Sequence, residues 1–256
     1  MSALHADRAR AESFGADASR YDRVRPSYPA ALIDELLADG PATVLDVGCG
    51  TGIAAALLRE RGCDVLGIEP DERMARVARG KGLDVEIASL EGWQARGRRF
   101  ELLACAQAWH WIDPQIGTAK AAEVLSGGGR LAAFWNFGAP PPALSATLEH
   151  IYERIAPELA RQSVLLGHTE DRLRGVTLAI EQSGGFGPPQ ARKWSWSRKY
   201  TSALWLELLL THSDHKMLPA AERDSLLEAL GAAIDAVGGT LEVSYETHLV
   251  SARTLA

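Results

Sequence analysis

Short apolar runs alternate with amphipathic stretches through the first half of the chain. The apolar runs are typical of buried strands, whereas the stretches between them repeat their apolar residues at helical spacing. This alternation predicts a parallel sheet with right-handed crossovers. The predicted strands are 44–47, 64–68, 84–88, 100–106 and 130–135, and the predicted helices between them are 53–61, 71–80 and 114–125.

The pattern changes after Asn136, where three prolines interrupt it. Helical spacing then dominates in 143–183, with a helix at 143–161 and a mixed connector at 164–175, and again in 201–238. Alternating residues predict late strands at 191–200 and 240–253. Near the start, residues 21–40 predict a helix that begins at Pro29. We therefore expect an N-terminal helical lid (1–40), an α/β core (41–140), and a segment of helical cap and last strands (141–256).

The first predicted strand runs into a glycine-rich turn, VLDVGCGTG, at Val44–Gly52. Glycines allow a tight turn and let a ligand approach bare main chain, and the following helix start favours an anionic group. A dinucleotide fingerprint has its third small residue three positions after the second glycine. That position is Ile53 here, and the third glycine comes early at Gly52, so the turn departs from the NAD pattern.

The second predicted strand, VLGIEP, ends in Glu69, about 20 residues after the first glycine. An acid at this offset can accept hydrogen bonds from the two hydroxyls of a ribose. The turn and the acid together predict a nucleoside-containing cofactor.

These two motifs resemble those of the class I S-adenosylmethionine-dependent methyltransferases. AWHWIDP (108–114) is similar to the "HWFD" signature of the small-molecule enzymes of the trans-aconitate and ubiquinone/menaquinone type, with Ile112 in place of Phe. SGGGRLAAFWN (126–136) is similar to their turn and fifth strand. The resemblance implies a doubly wound, seven-stranded, mostly parallel sheet whose last strand is antiparallel, with a helical cap over the acceptor pocket.

The resemblance also implies which residues bind S-adenosylmethionine. Asp46 and the glycines would serve the methionine part, Glu69 the ribose, and the residues after the third strand the adenine, while Met74 either flanks the adenine or packs in the core. The predicted cofactor-binding residues are Asp46, Gly48, Cys49, Gly50, Gly52, Glu69, Pro70, Met74, Ser89, Leu90 and Gln107.

His110 is the candidate catalytic residue, since histidine can take a proton from an acceptor hydroxyl or acid. A structural role, holding its loop by hydrogen bonds, is the alternative. Aromatic faces can stabilise a sulfonium by cation–π attraction. The predicted substrate-binding residues are Tyr21, Arg25, Tyr28, Trp109 and Trp111.

Composition excludes several classes of function. The net charge of -6 and the absence of a basic patch argue against a nucleic-acid partner. Three widely spaced cysteines form no C-x-x-C pair, and His212–His215 is interpreted as a polar helix end, so no metal site is predicted. The charged start lacks a signal-peptide pattern and no apolar run is long enough to span a bilayer, so we expect a cytoplasmic monomer or homodimer.

The sequence therefore predicts a methyltransferase that acts on a small-molecule acceptor by in-line SN2 displacement, the acceptor atom lying about 3 Å from the methyl carbon. O-methylation of a carboxylate or hydroxyl is favoured, while C- or N-methylation stays open. An NAD(P)-dependent oxidoreductase is an alternative. So is a cofactor-binding protein of the same fold that methylates nothing.

Overall fold

The computed structural model describes Asp7, Arg10 and residues 13–162 and 169–255. Within these residues seven strands form one sheet. The strands are β1 (Thr43–Val47), β2 (Asp64–Ile68), β3 (Asp84–Glu86), β4 (Phe100–Ala106), β5 (Leu125–Ala139), β6 (Gln190–Thr201) and β7 (Thr240–Arg253). Their spatial order is β3-β2-β1-β4-β5-β7-β6.

The predicted topology is confirmed. β1 pairs in parallel with β2 and β4, and the parallel pairing extends to β3 on one side and β5 on the other. β7 lies between β5 and β6 and runs antiparallel to both. The strand order reverses between β1 and β4, which is where ligands bind in sheets of this kind.

Helices cover both faces of the sheet and form a separate layer over its carboxyl edge. They are α1 (Ala18–Val24), α2 (Ala30–Leu36), α3 (Ile53–Glu60), α4 (Glu72–Gly80), α5 (Pro114–Val124), α6 (Pro142–Ile155), α7 (Pro157–Gln162), α8 (Thr169–Ser183), α9 (Ser202–Leu209), α10 (Ser213–Lys216) and α11 (Ala220–Asp235). In the described part of the chain, two short 3₁₀ helices lie at Phe14–Asp17 and Trp109–Trp111.

Several predicted boundaries are wrong by a few residues. The third strand ends at Glu86, and the helix predicted over 143–161 divides at Ala156 into α6 and α7. Pro29 caps α2 and does not begin it. Part of the connector predicted at 164–175 lies outside the described residues.

The fifth strand starts earlier than predicted, at Leu125 instead of residue 130. The three glycines 127–129 lie inside it, in an irregularity of the β4–β5 pairing, with Gly128 at a φ of +75°. Extra residues in one strand of a pair bulge outward without ending the strand, so a glycine run can be mistaken for a turn.

Alternating residues of β1 separate two cores. Leu45 and Val47 pack with one buried cluster, and Val44 packs with the other, which contains apolar side chains of α2, α3 and α4. Because successive strand side chains point to opposite faces, Asp46 lies on the same face as Val44. A third cluster joins α6, α9 and α11 to β6 and β7 and forms the core of the cap.

None of the helices in the described part of the chain has both the length and the apolar content needed to cross a lipid bilayer.

Candidate active site

A continuous cleft opens at the carboxyl ends of β1, β2, β4 and β5. Most of the predicted site residues line it: Tyr21, Arg25, Gly48, Gly50, Glu69, Pro70, Met74, Ser89, Leu90, Gln107, His110 and Trp111. The other predicted residues do not line it: Tyr28, Asp46, Cys49, Gly52 and Trp109.

Bare main chain forms the wall of the cleft after β1. Gly48 and Gly50 have φ angles of +64° and +56°, in the left-handed region that favours glycine. The amides of Gly48 and Cys49 both donate to the carbonyl oxygen of Ile68, at 2.9 and 3.1 Å. A Cβ on Gly48 would lie 2.6 Å from the Cβ of Ala108. Both the backbone angle and this close neighbour therefore require glycine at position 48.

Two predicted loop residues contact the core instead of the cleft. The buried Cys49 side chain lies against β2, where a Cβ on Gly67 would come within 2.7 Å of its Sγ. Gly52 caps α3 at a φ of +79°, and a Cβ there would lie 2.3 Å from Cδ1 of Leu83. Both residues shape the loop, and a cofactor contact by either stays a prediction.

The start of α3 does not line the cleft, and the expectation that its amides receive the ligand stays a prediction. Residues 53–55 do not line the cleft. The Ala55 amide approaches the Asp46 carboxylate, without completing a hydrogen bond. The reason is that Asp46 points to the face of the sheet on which α3 packs. The positive end of the helix dipole thus acts on a protein carboxylate.

Asp46 is fully buried, and neither of its carboxylate oxygens has a hydrogen-bond partner among the described residues. Burial raises the pKa of Asp46 to about 7, opposed by the Ala55 amide and assisted by the Glu69 charge. Buried polar atoms are nearly always hydrogen-bonded. The two unpartnered oxygens lie behind the glycine loop, and a contact between Asp46 and the cofactor stays a prediction.

Glu69 joins the ends of β1 and β2. Its Oε2 accepts a hydrogen bond from the Gly50 amide and its Oε1 accepts one from the Asp71 amide, each at 2.9 Å. Burial raises the pKa of Glu69 to about 7, although these two amides oppose the shift. Each oxygen keeps a second lone pair. The carboxylate can therefore accept two more hydrogen bonds, as a pair of neighbouring hydroxyls would donate.

Gln107 follows β4 and has a φ of +60°, which is uncommon for a residue other than glycine. Its amide donates to the Phe134 carbonyl oxygen at 2.8 Å, and its Nε2 donates to the Asn136 carbonyl oxygen at 3.3 Å. Strained backbone of this kind concentrates at functional sites. Asn136 also lines the cleft, and sequence reasoning missed it although it directly follows a predicted strand.

His110 is a neutral side chain in this structure. Its Nδ1 accepts a hydrogen bond from Nε1 of Trp135 at 3.2 Å, so the ring proton is on Nε2. Burial lowers the pKa of His110 well below its usual range, and the charges of Arg172 and Arg10 lower it further. The imidazole therefore keeps a proton on Nε2 that it can donate, and the side chain lines the cleft.

The two tryptophans of the predicted signature lie in different environments. Trp111 lines the cleft and packs edge-to-face against Phe14, with ring centroids 5.9 Å apart. Trp109 is buried in the core of the sheet, because 3₁₀ geometry turns successive side chains apart. The prediction that Trp109 contacts the substrate does not fit this position.

Two of the three predicted N-terminal residues line the cleft, and their role as a substrate-binding lid stays a prediction. The Arg25 guanidinium lies over the Tyr21 ring, 4.8 Å from its centroid, and both residues line the cleft. Tyr28 instead packs edge-to-face on Phe134, beneath the loops. Its ring packs against the core cluster of the sheet and does not line the cleft, so a substrate contact by Tyr28 stays a prediction.

Residues distant in sequence complete the far end of the cleft, and sequence reasoning did not assign them to the site. They are Arg10, Phe14, Phe137, Arg172, Leu208, His212, Asp214 and Tyr245. The one available signal was the polar segment His212–His215, interpreted as a helix end. Among the described residues, no group of three or more His, Cys, Asp or Glu side chains is arranged to hold a metal ion.

Comparison with known proteins identifies the class to which this fold and cleft belong. A family model described as a methyltransferase domain matches residues 21–160, more than half of the chain. The chain belongs to this family, which makes it a class I S-adenosylmethionine-dependent methyltransferase by family and fold. The narrower trans-aconitate or ubiquinone-type grouping stays a prediction.

The relatives agree with this membership. An uncharacterized methyltransferase of Mycobacterium tuberculosis is 41% identical over 127 residues, which cover 48% of this chain and 52% of the relative. The malonyl-[acyl-carrier protein] O-methyltransferase of Herminiimonas arsenicoxydans is 31% identical over 160 residues, covering 60% of this chain and 62% of that protein. The chain thus spans about half the length of the mycobacterial relative it matches.

A solved structure extends the similarity over the cap. A protein from Anaeromyxobacter dehalogenans described as a type II methyltransferase superposes with a TM-score of 0.67 at 26% identity. The alignment covers 90% of this chain and 98% of that one. The sheet and the helical cap are therefore shared by both proteins.

The residues present fit S-adenosylmethionine, the cofactor of this class. The side-chain-free wall at Gly48 and Gly50 leaves room for the methionine part, and the unpartnered Asp46 oxygens lie behind it. Glu69 offers the lone pairs that vicinal ribose hydroxyls require. The loop after β3 adds a mixed polar and apolar wall at Ser89 and Leu90 for a base.

Glu69→Ala should weaken binding of S-adenosylhomocysteine at least about tenfold, because two charge-assisted hydrogen bonds are lost. Titration calorimetry measures this, and urea unfolding separates it from lost stability. Glu72→Ala, an exposed acid one turn away on α4, is the control and should bind normally. A 2′,3′-dideoxy analogue of the ligand should show no further loss in the Glu69 variant. Normal affinity of Glu69→Ala would contradict the assignment.

Asp46→Asn should change how stability depends on pH. In the wild type the folded Asp46 holds its proton up to pH about 7, whereas the unfolded carboxyl loses it near 4, so stability falls as pH rises between these values. The loss is at most about 4 kcal/mol. Urea unfolding of the ligand-free proteins from pH 4 to 8 measures it. Parallel curves for the variant and the wild type would contradict a raised pKa.

Proposed function

We propose that the chain transfers a methyl group from S-adenosylmethionine to an oxygen atom of a small molecule, with a carboxylate as the favoured acceptor. The observation that carries the proposal is the continuous cleft, with the glycine loop and Glu69 at one end and cap side chains at the other. When bound, S-adenosylmethionine supplies an electrophilic methyl group on a positively charged sulfur. The O-methyltransferase name of the Herminiimonas relative supports oxygen as the acceptor atom.

The state of His110 favours a carboxylate over a hydroxyl acceptor. A hydroxyl must lose its proton as it is methylated, which requires a base. His110 has its Nδ1 lone pair engaged by Trp135 and its Nε2 protonated, and burial holds its pKa low. A carboxylate is already ionised at neutral pH and needs no base. His110 can instead donate a hydrogen bond that orients the acceptor.

Aromatic side chains line the middle of the cleft. Phe14 packs edge-to-face against both Trp111 and Tyr21, with ring centroids 5.9 and 6.1 Å apart. Their faces suit a positively charged sulfur by cation–π attraction, and their bulk excludes water that would compete for the methyl group. Orienting the two reactants in such an enclosed space supplies much of the rate in a displacement that needs no proton transfer.

The direct test is methyl transfer from S-[methyl-³H]adenosylmethionine to a panel of small acids, alcohols and amines. We expect label in a product of an acid, released as methanol by mild base because methyl esters are hydrolysed. Base-stable label would indicate a methyl ether, amine or carbon product. Binding of S-adenosylhomocysteine without transfer to any acceptor would favour a protein of this fold that does not methylate.

His110→Ala should lower kcat about tenfold or more through loss of an orienting hydrogen bond, while the affinity for S-adenosylhomocysteine stays within about twofold. The wild-type rate should lack a His110 ionisation between pH 6 and 8. His150→Ala, an exposed histidine on α6, is the control. An acid limb near pH 6.5 that disappears in His110→Ala would show that His110 is the base after all.

A further inference from the structure

Three arginines from distant parts of the chain meet at the cap end of the cleft. Arg10 and Arg25 come from the N-terminal segment and Arg172 from the first turn of α8, and all three line the cleft. Arg25 donates from its guanidinium to the Thr211 carbonyl oxygen at 2.8 Å, and Nε of Arg10 donates to Oγ of Ser213 at 3.1 Å. The two arginines therefore hold the residues on either side of His212.

Arg172 differs from the other two because its guanidinium has no partner among the residues that the structure describes. No described residue makes a hydrogen bond or an ion pair with it. Burial lowers the pKa of Arg172 to about 10, with Arg10 and Arg25 adding to the shift and Asp214 opposing it. The side chain thus remains charged at neutral pH in a partly dehydrated place. A buried charge without a partner is strongly unfavourable unless a ligand neutralises it.

The nearby protein carboxylate is already engaged. Oδ1 of Asp214 is shared by the backbone amide and the ring Nδ1 of His215, each at 2.8 Å. The ring Nε2 of that histidine in turn lies 2.8 Å from the hydroxyl of Tyr152 in the cap. Burial alone would raise the pKa of Asp214, but the hydrogen bond and charge of His215 hold it well below its usual range. One carboxylate cannot balance three guanidinium groups.

We propose that Arg172, with Arg25 and Arg10, anchors a second acidic group of the methyl acceptor, so that the substrate is a small dianion. The inference rests on the proposed function and deepens it. One acidic group, a carboxylate or a phosphate, binds the guanidinium cluster and is not methylated.

The anchored group is distinct from the reacting one for a chemical reason. An oxygen whose lone pairs accept charge-assisted hydrogen bonds from guanidinium groups is a poor nucleophile. The second carboxylate, free of the cluster, uses an oxygen lone pair to form the new bond to the methyl carbon. The bond between that carbon and the donor sulfur breaks, with its electron pair left on sulfur. No proton moves, and the substrate leaves as a monoester with one negative charge fewer.

The test measures binding of two probe anions, glutarate and inorganic phosphate, to protein saturated with S-adenosylhomocysteine. We expect glutarate or phosphate to bind, and monomethyl glutarate to bind at least about tenfold more weakly than glutarate. The stronger of the two probes identifies a carboxylate or a phosphate as the anchored group. Failure of both to bind at about 10 mM would overturn the inference.

Arg172→Gln should weaken binding of the preferred probe about tenfold or more, and Arg172→Lys should weaken it less, because lysine keeps the charge but loses the forked geometry. Arg174→Gln, on the exposed side of the same helix, is the matched control and should bind as the wild type does. The Arg172 substitutions remove no contact that holds the fold, so the ligand-free variants should be at least as stable as the wild type.

Unchanged probe binding in Arg172→Gln would overturn the role of this residue. A separate titration with S-adenosylhomocysteine, run on each protein before the probe anion is added, separates the two proposals. Normal cofactor binding with no anion binding leaves methyl transfer standing and rejects the anchor. Loss of S-adenosylhomocysteine binding in the wild type would reject the proposed function itself.

Discussion

The carbonyl oxygen of Ile68 accepts hydrogen bonds from two successive amides of the glycine loop, and the rest of the cleft depends on this anchor. It ties the end of β1 to the end of β2 before any ligand arrives. The next residue, Glu69, then reaches back to the Gly50 amide and fixes the loop a second time. Because the loop turns through left-handed angles against Ala108, no side chain can occupy the space it leaves. The cleft is therefore formed by the main chain and its hydrogen bonds.

The two ends of the cleft have opposite electrostatic character. At the strand end, burial raises the pKa of both Asp46 and Glu69. The ionised carboxylates are therefore destabilised there, and a nearby cation would stabilise them. At the cap end positive charge is in excess, because the guanidinium groups outnumber the engaged carboxylate of Asp214, and a nearby anion would stabilise them. In our proposals the positively charged methyl donor stabilises the carboxylates at the strand end, and the anionic acceptor stabilises the guanidinium groups at the cap end.

The sequence predicted the half of the site that local motifs encode. A strand, a glycine turn and an acid 20 residues later follow one another along the chain, so their meeting at β1 and β2 requires only the standard crossover. Sequence motifs did not predict the position of side chains that depend on contacts between distant parts of the chain. Gly52 and Cys49 belong to the motif, yet their surroundings are Leu83 and Gly67. The tautomer of His110 depends on Trp135, a contact that no local rule provides, and the convergence of Arg172 with Arg10 depends on how the cap folds over the sheet.

The segment matched by the family model ends at residue 160, and α8 and the His212 segment come after it. In our proposals the methyl donor is held within the matched segment, whereas the acceptor site adds Arg172 and the His212 segment to residues of the earlier part. Substitutions confined to the later stretch can then change the preferred acceptor while the donor loop stays untouched, so paralogues that share this loop need share no metabolite.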